Sequence, residues 1–243
     1  METPGWLDTG AYPFRPRFFP TPSGSLHYVD EGTGDPVVFV HGNPSWSFQF
    51  RNIIKGLSGT HRCIAPDHLG FGLSDKPPEW SYLPQDHATN LEMLLDSLDL
   101  QQITMVVGDW GGPIGLAYAN TWLWSVRSDW YYRLFSGFVG GPLGRWLIRR
   151  NNFFAATLMP SMFGEKSRLS PEIHRHYLEP LALPEERKGC WVFPGQIIGS
   201  SDWLQALWDQ RTVLQDKEIL IAWGMRDIAF REKELDTWVR AFP

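Results

Sequence analysis

At 243 residues the chain is long enough for one large α/β domain with a substantial core, and with a mild formal net charge of −5 nothing argues for a nucleic-acid footprint or a basic membrane patch. Cys63 and Cys190 are isolated thiols without metal-ligand spacing, as expected in a reducing compartment. The first residues show neither a basic nor an apolar leader and no apolar run reaches ~18–20 residues, so a soluble cytoplasmic protein without a membrane span is expected.

Residues 1–20, rich in proline and aromatics, read as a surface lead-in. Residues 25–31 alternate like a half-exposed strand, followed by the turn Gly32-Thr-Gly-Asp-Pro36. Pro36–Val40 reads as a short buried strand that runs into His41-Gly-Asn-Pro44. From Ser45, the spacing of Trp46, Phe48, Ile53 and Ile54 is roughly helical. Arg62–Pro66 is a further strand, leading into a glycine-rich loop over 67–77. Residues 86–100 form the clearest amphipathic helix, with Ala88, Leu91, Leu94, Leu95 and Leu98 on one face. Strands alternating with helices predict an α/β fold, a mostly parallel sheet flanked by helices. Ligands in such sheets bind beyond the carboxyl ends of the strands, where the loops at 41–44 and 67–77 both fall.

The run over 103–112, Ile-Thr-Met-Val-Val-Gly-Asp-Trp-Gly-Gly, organises the rest. Its apolar, β-branched start reads as a buried strand, and Pro113 opens a helix at a position proline favours. Strand, tight turn and helix with one reactive residue at the apex is the nucleophile-elbow arrangement, here with Asp109 at the apex. A turn aspartate that merely caps the helix is the plainer reading of Asp109 by itself. A carboxylate there would sit at a helix N-terminus, whose N–H groups and dipole are expected to keep it ionised. Backbone N–H groups of Asn43 and Trp110 could form an oxyanion hole. Their side chains add an amide and an indole N–H, neutral donors suited to a departing anion such as halide.

Between 121 and 215 strand character disappears, and the segment reads as an inserted helical cap between core parts at 1–120 and 216–243. Residues 218–223, Glu-Ile-Leu-Ile-Ala-Trp, return to strand character and end near Asp227, the natural orienter of a histidine base; residues 231–242 read as a helix. His41 and His68 read as loop hydrogen-bonders, and His174 with His176 is too sparse a pair for a metal site, so no metal is expected.

Several of these stretches together resemble the haloalkane dehalogenases of the α/β-hydrolase superfamily. They are His41-Gly-Asn-Pro-Ser45, Asp67-His-Leu-Gly-Phe-Gly-Leu-Ser-Asp75, Val107-Gly-Asp-Trp-Gly-Gly112, Asn120-Thr-Trp-Leu-Trp124 and Trp223-Gly-Met-Arg-Asp-Ile-Ala-Phe230. The resemblance implies the α/β-hydrolase fold, Asp109 as nucleophile, Asn43 and Trp110 as halide clamp, Asp227 as catalytic acid, and no cofactor. The implied partners are a small apolar halogenated substrate, water and halide. Two departures stand out. Only 11 positions separate Asp109 from Asn120, too few for the helix and strand expected between them. None of the histidines at 27, 41, 61, 68, 87, 174 and 176 takes the family's base position after a final strand, so the sheet is expected to lack one strand and the C-terminal strand and helix. An epoxide hydrolase, supported by tyrosines such as Tyr131, Tyr132 and Tyr177 facing Asp109, is one alternative. A non-catalytic binding protein or a luciferase-like monooxygenase scaffold on the same fold is another.

Overall fold

The computed structural model describes residues 3–115, 121–225, 227 and 229–242. Five strands form one mixed sheet: β1 Arg17–Thr21, β2 Gly24–Glu31, β3 Pro36–Val40, β4 Arg62–Pro66 and β5 Thr104–Val107, in the order β1-β2-β4-β3-β5. β2 pairs antiparallel with both β1 and β4, while β3 pairs parallel with β4 and β5. The expected lead-in therefore contains a strand, and the described sheet is parallel only in its β4-β3-β5 half. The tight reversal between Thr21 and Gly24 dictates the antiparallel hairpin, whereas the parallel strands are joined by helical crossovers.

The helices of the first half are α1 Arg51–Leu57, after a 3₁₀ turn at Ser47–Phe50, α2 Pro84–Ser97 and α3 Gly111–Gly115. α2 begins on the proline at 84 and buries Leu91 and Leu94 on the face its periodicity marked. Val38, Val40, Ile64, Leu91 and Ile114 join one core beneath the helical layer. Phe39, Phe48, Ile54 and Cys63 build a second core on the sheet's other face. The alternation Val38/Phe39/Val40 divides one strand between the two cores, as the two-residue period of a strand requires.

The segment expected to be helical is helical throughout its regular structure among the described residues. It holds α4 Trp130–Val139, α5 Pro142–Asn151, a π-helical turn at Phe154–Leu158, α6 Met159–Met162, α7 Pro171–Leu178, α8 Lys188–Gly199 and α9 Ser201–Asp209. Asp129 caps α4 by accepting from the Tyr131 N–H at 2.9 Å, and Ser170 caps α7 through the Ile173 N–H. The last helix, α10 Glu232–Ala241, packs Trp238 into the interior and donates its indole N–H to the Thr121 carbonyl at 2.9 Å.

Two expectations need comment. Residues 218–223 form no strand: Leu220 is 84% exposed, and among the described residues no backbone hydrogen bond joins the segment to the sheet. β-branched residues stabilise a strand only when a ladder partner and a packed face are present, and none of the five described strands pairs with these residues. The short junction between Asp109 and Asn120, where a helix end and a strand were expected to be missing, falls on residues 116–120, outside the described residues.

Candidate active site

Asp109 sits at the turn between β5 and α3 with φ of +53°, a left-handed conformation that a non-glycine residue adopts at a cost. The turn is tied down on both sides. The Gly111 N–H donates to the Gly108 carbonyl, and the Thr121 hydroxyl donates to the Asp109 carbonyl at 2.6 Å. Since Trp238 in turn holds the Thr121 carbonyl, α10 steadies the elbow from behind. Gly111 lies against the β3 backbone so closely that a Cβ would strike the Val40 carbonyl.

The Asp109 carboxylate points at the loop after β3. Its Oδ1 accepts the Asn43 N–H at 2.7 Å, and the backbone N–H of Trp110 also favours its charged form. A Cβ on Gly42 would overlap this carboxylate, so only glycine permits the approach. The loop itself is locked by His41, whose Nδ1 bonds to the Gly42 carbonyl at 2.9 Å and whose Nε2 accepts the His68 N–H at 2.9 Å. That pairing fixes one neutral tautomer, and burial lowers the ring's basicity further. Asp67, fully buried, holds the neighbouring loop by accepting from the Ser47 and Leu73 N–H groups and pairing with His27 at 2.8 Å.

Burial pushes the Asp109 carboxyl up to about 7, helped by the charge of Asp227 and opposed by the N–H groups of Trp110 and Asn43. The helix-terminal donors act in the expected direction, but desolvation outweighs them. The group is therefore not held ionised at low pH as the sequence had suggested.

A cavity of about 80 Å³ opens on this carboxylate. Asn43, Trp110 and Trp122 line it beside Asp109; Tyr131, Tyr132 and Phe135 from α4 wall one side, and Phe154 and Leu158 of the π-helical turn another. The Asn43 side chain donates to the Cys190 carbonyl at 3.4 Å, a long bond. Trp122 is the residue that the sequence reading did not single out. Its indole N–H is buried in the cavity wall without a hydrogen-bond partner, and its ring meets Trp110 edge-on at 4.8 Å. Its place in the run Asn120-Thr-Trp-Leu-Trp124, one of the stretches that carry the family resemblance, was the available signal.

Asp227 lies in the loop before α10, where its Oδ1 accepts the Ala229 and Phe230 N–H groups at 2.7 and 3.1 Å. Ala229 and Phe230 line the cavity, so this loop reaches the site, close enough for the Asp227 charge to act on Asp109. Asn43, Asp109, Trp110 and Asp227 are thus brought together. No histidine is among the described residues that line the cavity. His27, His41 and His68 belong to the buried loop network, His87 stacks on Phe193, and His174 and His176 bond to the Ala155 carbonyl and the Asp8 N–H. Of the tyrosines, Tyr131 and Tyr132 line the cavity; the Tyr132 hydroxyl donates to the Ala229 carbonyl, while Tyr177 packs elsewhere, against Phe48. No group of His, Cys, Asp or Glu among the described residues is arranged to hold a metal ion.

Sheet, elbow and loops define an α/β hydrolase, and a family model for the alpha/beta hydrolase fold matches residues 35–121. The chain is 37% identical over 242 residues to haloalkane dehalogenase 2 of Mycobacterium tuberculosis, an alignment spanning 94% of the chain and 84% of that relative. It is also 35% identical to the cis-3-alkyl-4-alkyloxetan-2-one decarboxylase of Shewanella oneidensis, across 98% of the chain and 81% of that relative. Among solved structures, haloalkane dehalogenase DbeA of Bradyrhizobium elkani superposes with a TM-score of 0.81 at 23% identity, covering 94% of this chain and 87% of the other. The chain belongs to the haloalkane dehalogenase family of α/β hydrolases.

Proposed function

We propose that this chain displaces halide from an alkyl carbon with Asp109 as the nucleophile, within a core of residues 1–120 and 216–243 that carries residues 121–215 as a cap. The observation that carries the reading is a carboxylate at a strained elbow, facing a small apolar cavity ringed by neutral N–H donors. One Asp109 oxygen forms the bond to carbon while the carbon–halogen bond breaks and its electron pair leaves on the halide. The product is an alkyl ester of Asp109 and a free halide ion. Asn43 and Trp110 bind that ion through their side chains, and the unpaired indole N–H of Trp122 adds a third donor. Neutral donors suit halide because it departs without needing a proton.

Hydrolysis of the ester requires water to attack the Asp109 carbonyl carbon, with the Asn43 and Trp110 N–H groups holding the oxyanion and a base taking the proton. In the family's arrangement Asp227 orients that base, a histidine. No histidine is among the described residues that line the cavity, so the reaction proposed here is a single displacement that ends at the ester. No cofactor enters either step. Incubation with a brominated alkane should yield a single alkyl adduct on Asp109, seen by peptide mass spectrometry, and at most one halide per chain. Steady release of many halides per chain, abolished by Asp109→Ala, would show that turnover proceeds without such a histidine.

A second reading draws on the 35% identity to an oxetanone decarboxylase. Offered a cis-3,4-dialkyl oxetan-2-one, a chain of that activity would release alkene and carbon dioxide, which the haloalkane reading does not predict. Epoxide opening draws less support: of the three tyrosines Tyr131 and Tyr132 line the cavity, but the Tyr132 hydroxyl is already committed to the Ala229 carbonyl and Tyr177 is absent from the lining. A binding role without chemistry would show as substrate retention with no adduct.

A further inference from the structure

The helices that wall the cavity present an unusual outer surface. On α4, Trp130, Leu134 and Phe138 recur every four residues and are each more than half exposed, opposite the buried Tyr132, Ser136 and Val139. On α5, Leu143 and Trp146 are likewise more than half exposed, opposite the buried Gly144 and Ile148. A Gly140-Gly141 turn joins the two helices, and both pack against α8, so their other faces look outward.

Charge singles out the same hairpin. Residues 130–164 contain four arginines and no acidic residue, in a chain whose net charge is −5. Arg133, Arg145, Arg149 and Arg150 are exposed, and none makes an ion pair with a carboxylate among the described residues. The Arg145 guanidinium lies over the Trp191 ring at 4.2 Å and that of Arg150 near Trp146 at 5.9 Å, so aromatic and cationic groups alternate across the surface. Elsewhere basic and acidic side chains pair: Arg127 with Asp202, Arg175 with Glu179, Arg240 with Asp236.

We propose that the α4–α5 hairpin docks on anionic phospholipid bilayers. Its exposed tryptophan, leucine and phenylalanine side chains enter the interface, and its four arginines pair with lipid phosphate and carboxylate groups. Helices with Trp, Phe and Leu on one face and arginines beside them adsorb in the plane of the headgroups, where indole rings are favoured. A twofold dimer through this face would bring eight arginines together, which like-charge repulsion opposes. The apolar side chains project from the helices and line none of the cavities described, a shape that suits a fluid surface more than an inserted peptide. The inner face of α4 lines the cavity on Asp109, so docking would set the site directly beneath the lipid-facing helix. The net charge of −5, which by itself gives nothing that argues for a basic membrane patch, averages over this segregation of charge.

Co-sedimentation tests the proposal. The full chain should pellet with vesicles of equimolar phosphatidylcholine and phosphatidylserine in low salt, hardly at all with phosphatidylcholine alone, and be released by high salt. The pair Arg145→Glu and Arg150→Glu should lower the partition constant by more than about tenfold, since each basic residue near an anionic surface contributes roughly fivefold. Trp130→Ser with Trp146→Ser should weaken it comparably, whereas Lys217→Glu, exposed on another part of the chain, should leave it unchanged. Near-UV circular dichroism verifies that each variant is folded. Failure of the folded wild type to pellet, or equal binding to both lipids regardless of salt, would overturn the proposal. So would light scattering that shows a dimer dispersed by the same substitutions, with no vesicle binding.

Discussion

At the scale of single residues, the decisive quantity is the protonation of Asp109. With Asp109 as the proposed nucleophile, only its carboxylate form would attack carbon, so the rate of adduct formation should rise with pH through about 7 and level off above it, as stopped-time mass spectrometry across pH would show. The same group has a stability consequence. Its folded-state value lies above the 3.8 of the unfolded chain, so the folded state binds the proton more tightly. Asp109 therefore favours folding most at low pH, and that advantage is lost as pH rises toward 7. Asp109→Asn removes the titration and should stabilise the protein above pH 7 by on the order of a few kcal/mol, measured by urea unfolding. Trp122→Phe keeps an aromatic ring but removes the indole N–H with the five-membered ring that carries it; if that donor holds the departing halide, adduct formation should slow by about ten- to a hundredfold. Asp109, Asn43 and Trp110 were legible from sequence because their motif spacing is local. The raised carboxyl was not, since burial depends on side chains brought from as far away as α4, α8 and the Phe230 loop.

At the scale of elements, amphipathic periodicity worked where an element packs on one face. α2 was expected over 86–100 and spans Pro84–Ser97, with Leu94 fully buried. Leu94→Ala should cost about 2–5 kcal/mol in chemical denaturation, the range for an emptied core site. Periodicity misled at residues 218–223, because a β-prone sequence cannot form a strand without a neighbour to complete its ladder. Leu220→Pro should consequently shift stability by no more than about 0.5 kcal/mol, as for a surface position, whereas a loss near 3 kcal/mol would reveal a hydrogen-bonded strand. In the opposite sense, β1 was hidden in a proline-rich stretch. It forms because β2 offers a free edge to Arg17–Thr21, and an edge strand tolerates Pro20.

At the scale of the whole molecule, the sheet divides the protein into well-tied and loosely tied parts. Amide exchange should be slowest at Val38 and Ile64, buried in paired strands, and close to unprotected across 219–222, where no backbone hydrogen bond forms among the described residues. Charge is likewise a property of the whole: a net −5 describes the chain, while the α4–α5 hairpin, whose only charged residues are arginines, describes one face of it. The sequence by itself determined the α/β-hydrolase class, the elbow with Asp109 and the donors Asn43 and Trp110, because each is written in contiguous residues whose local geometry is nearly fixed by glycine, proline and strand patterning. Only the tertiary structure decided that Trp122 joins the cavity, that desolvation overrides the helix-terminal donors at Asp109, and that residues 218–223 remain unpaired. Each of these depends on which distant groups become neighbours, and on how much water their approach removes.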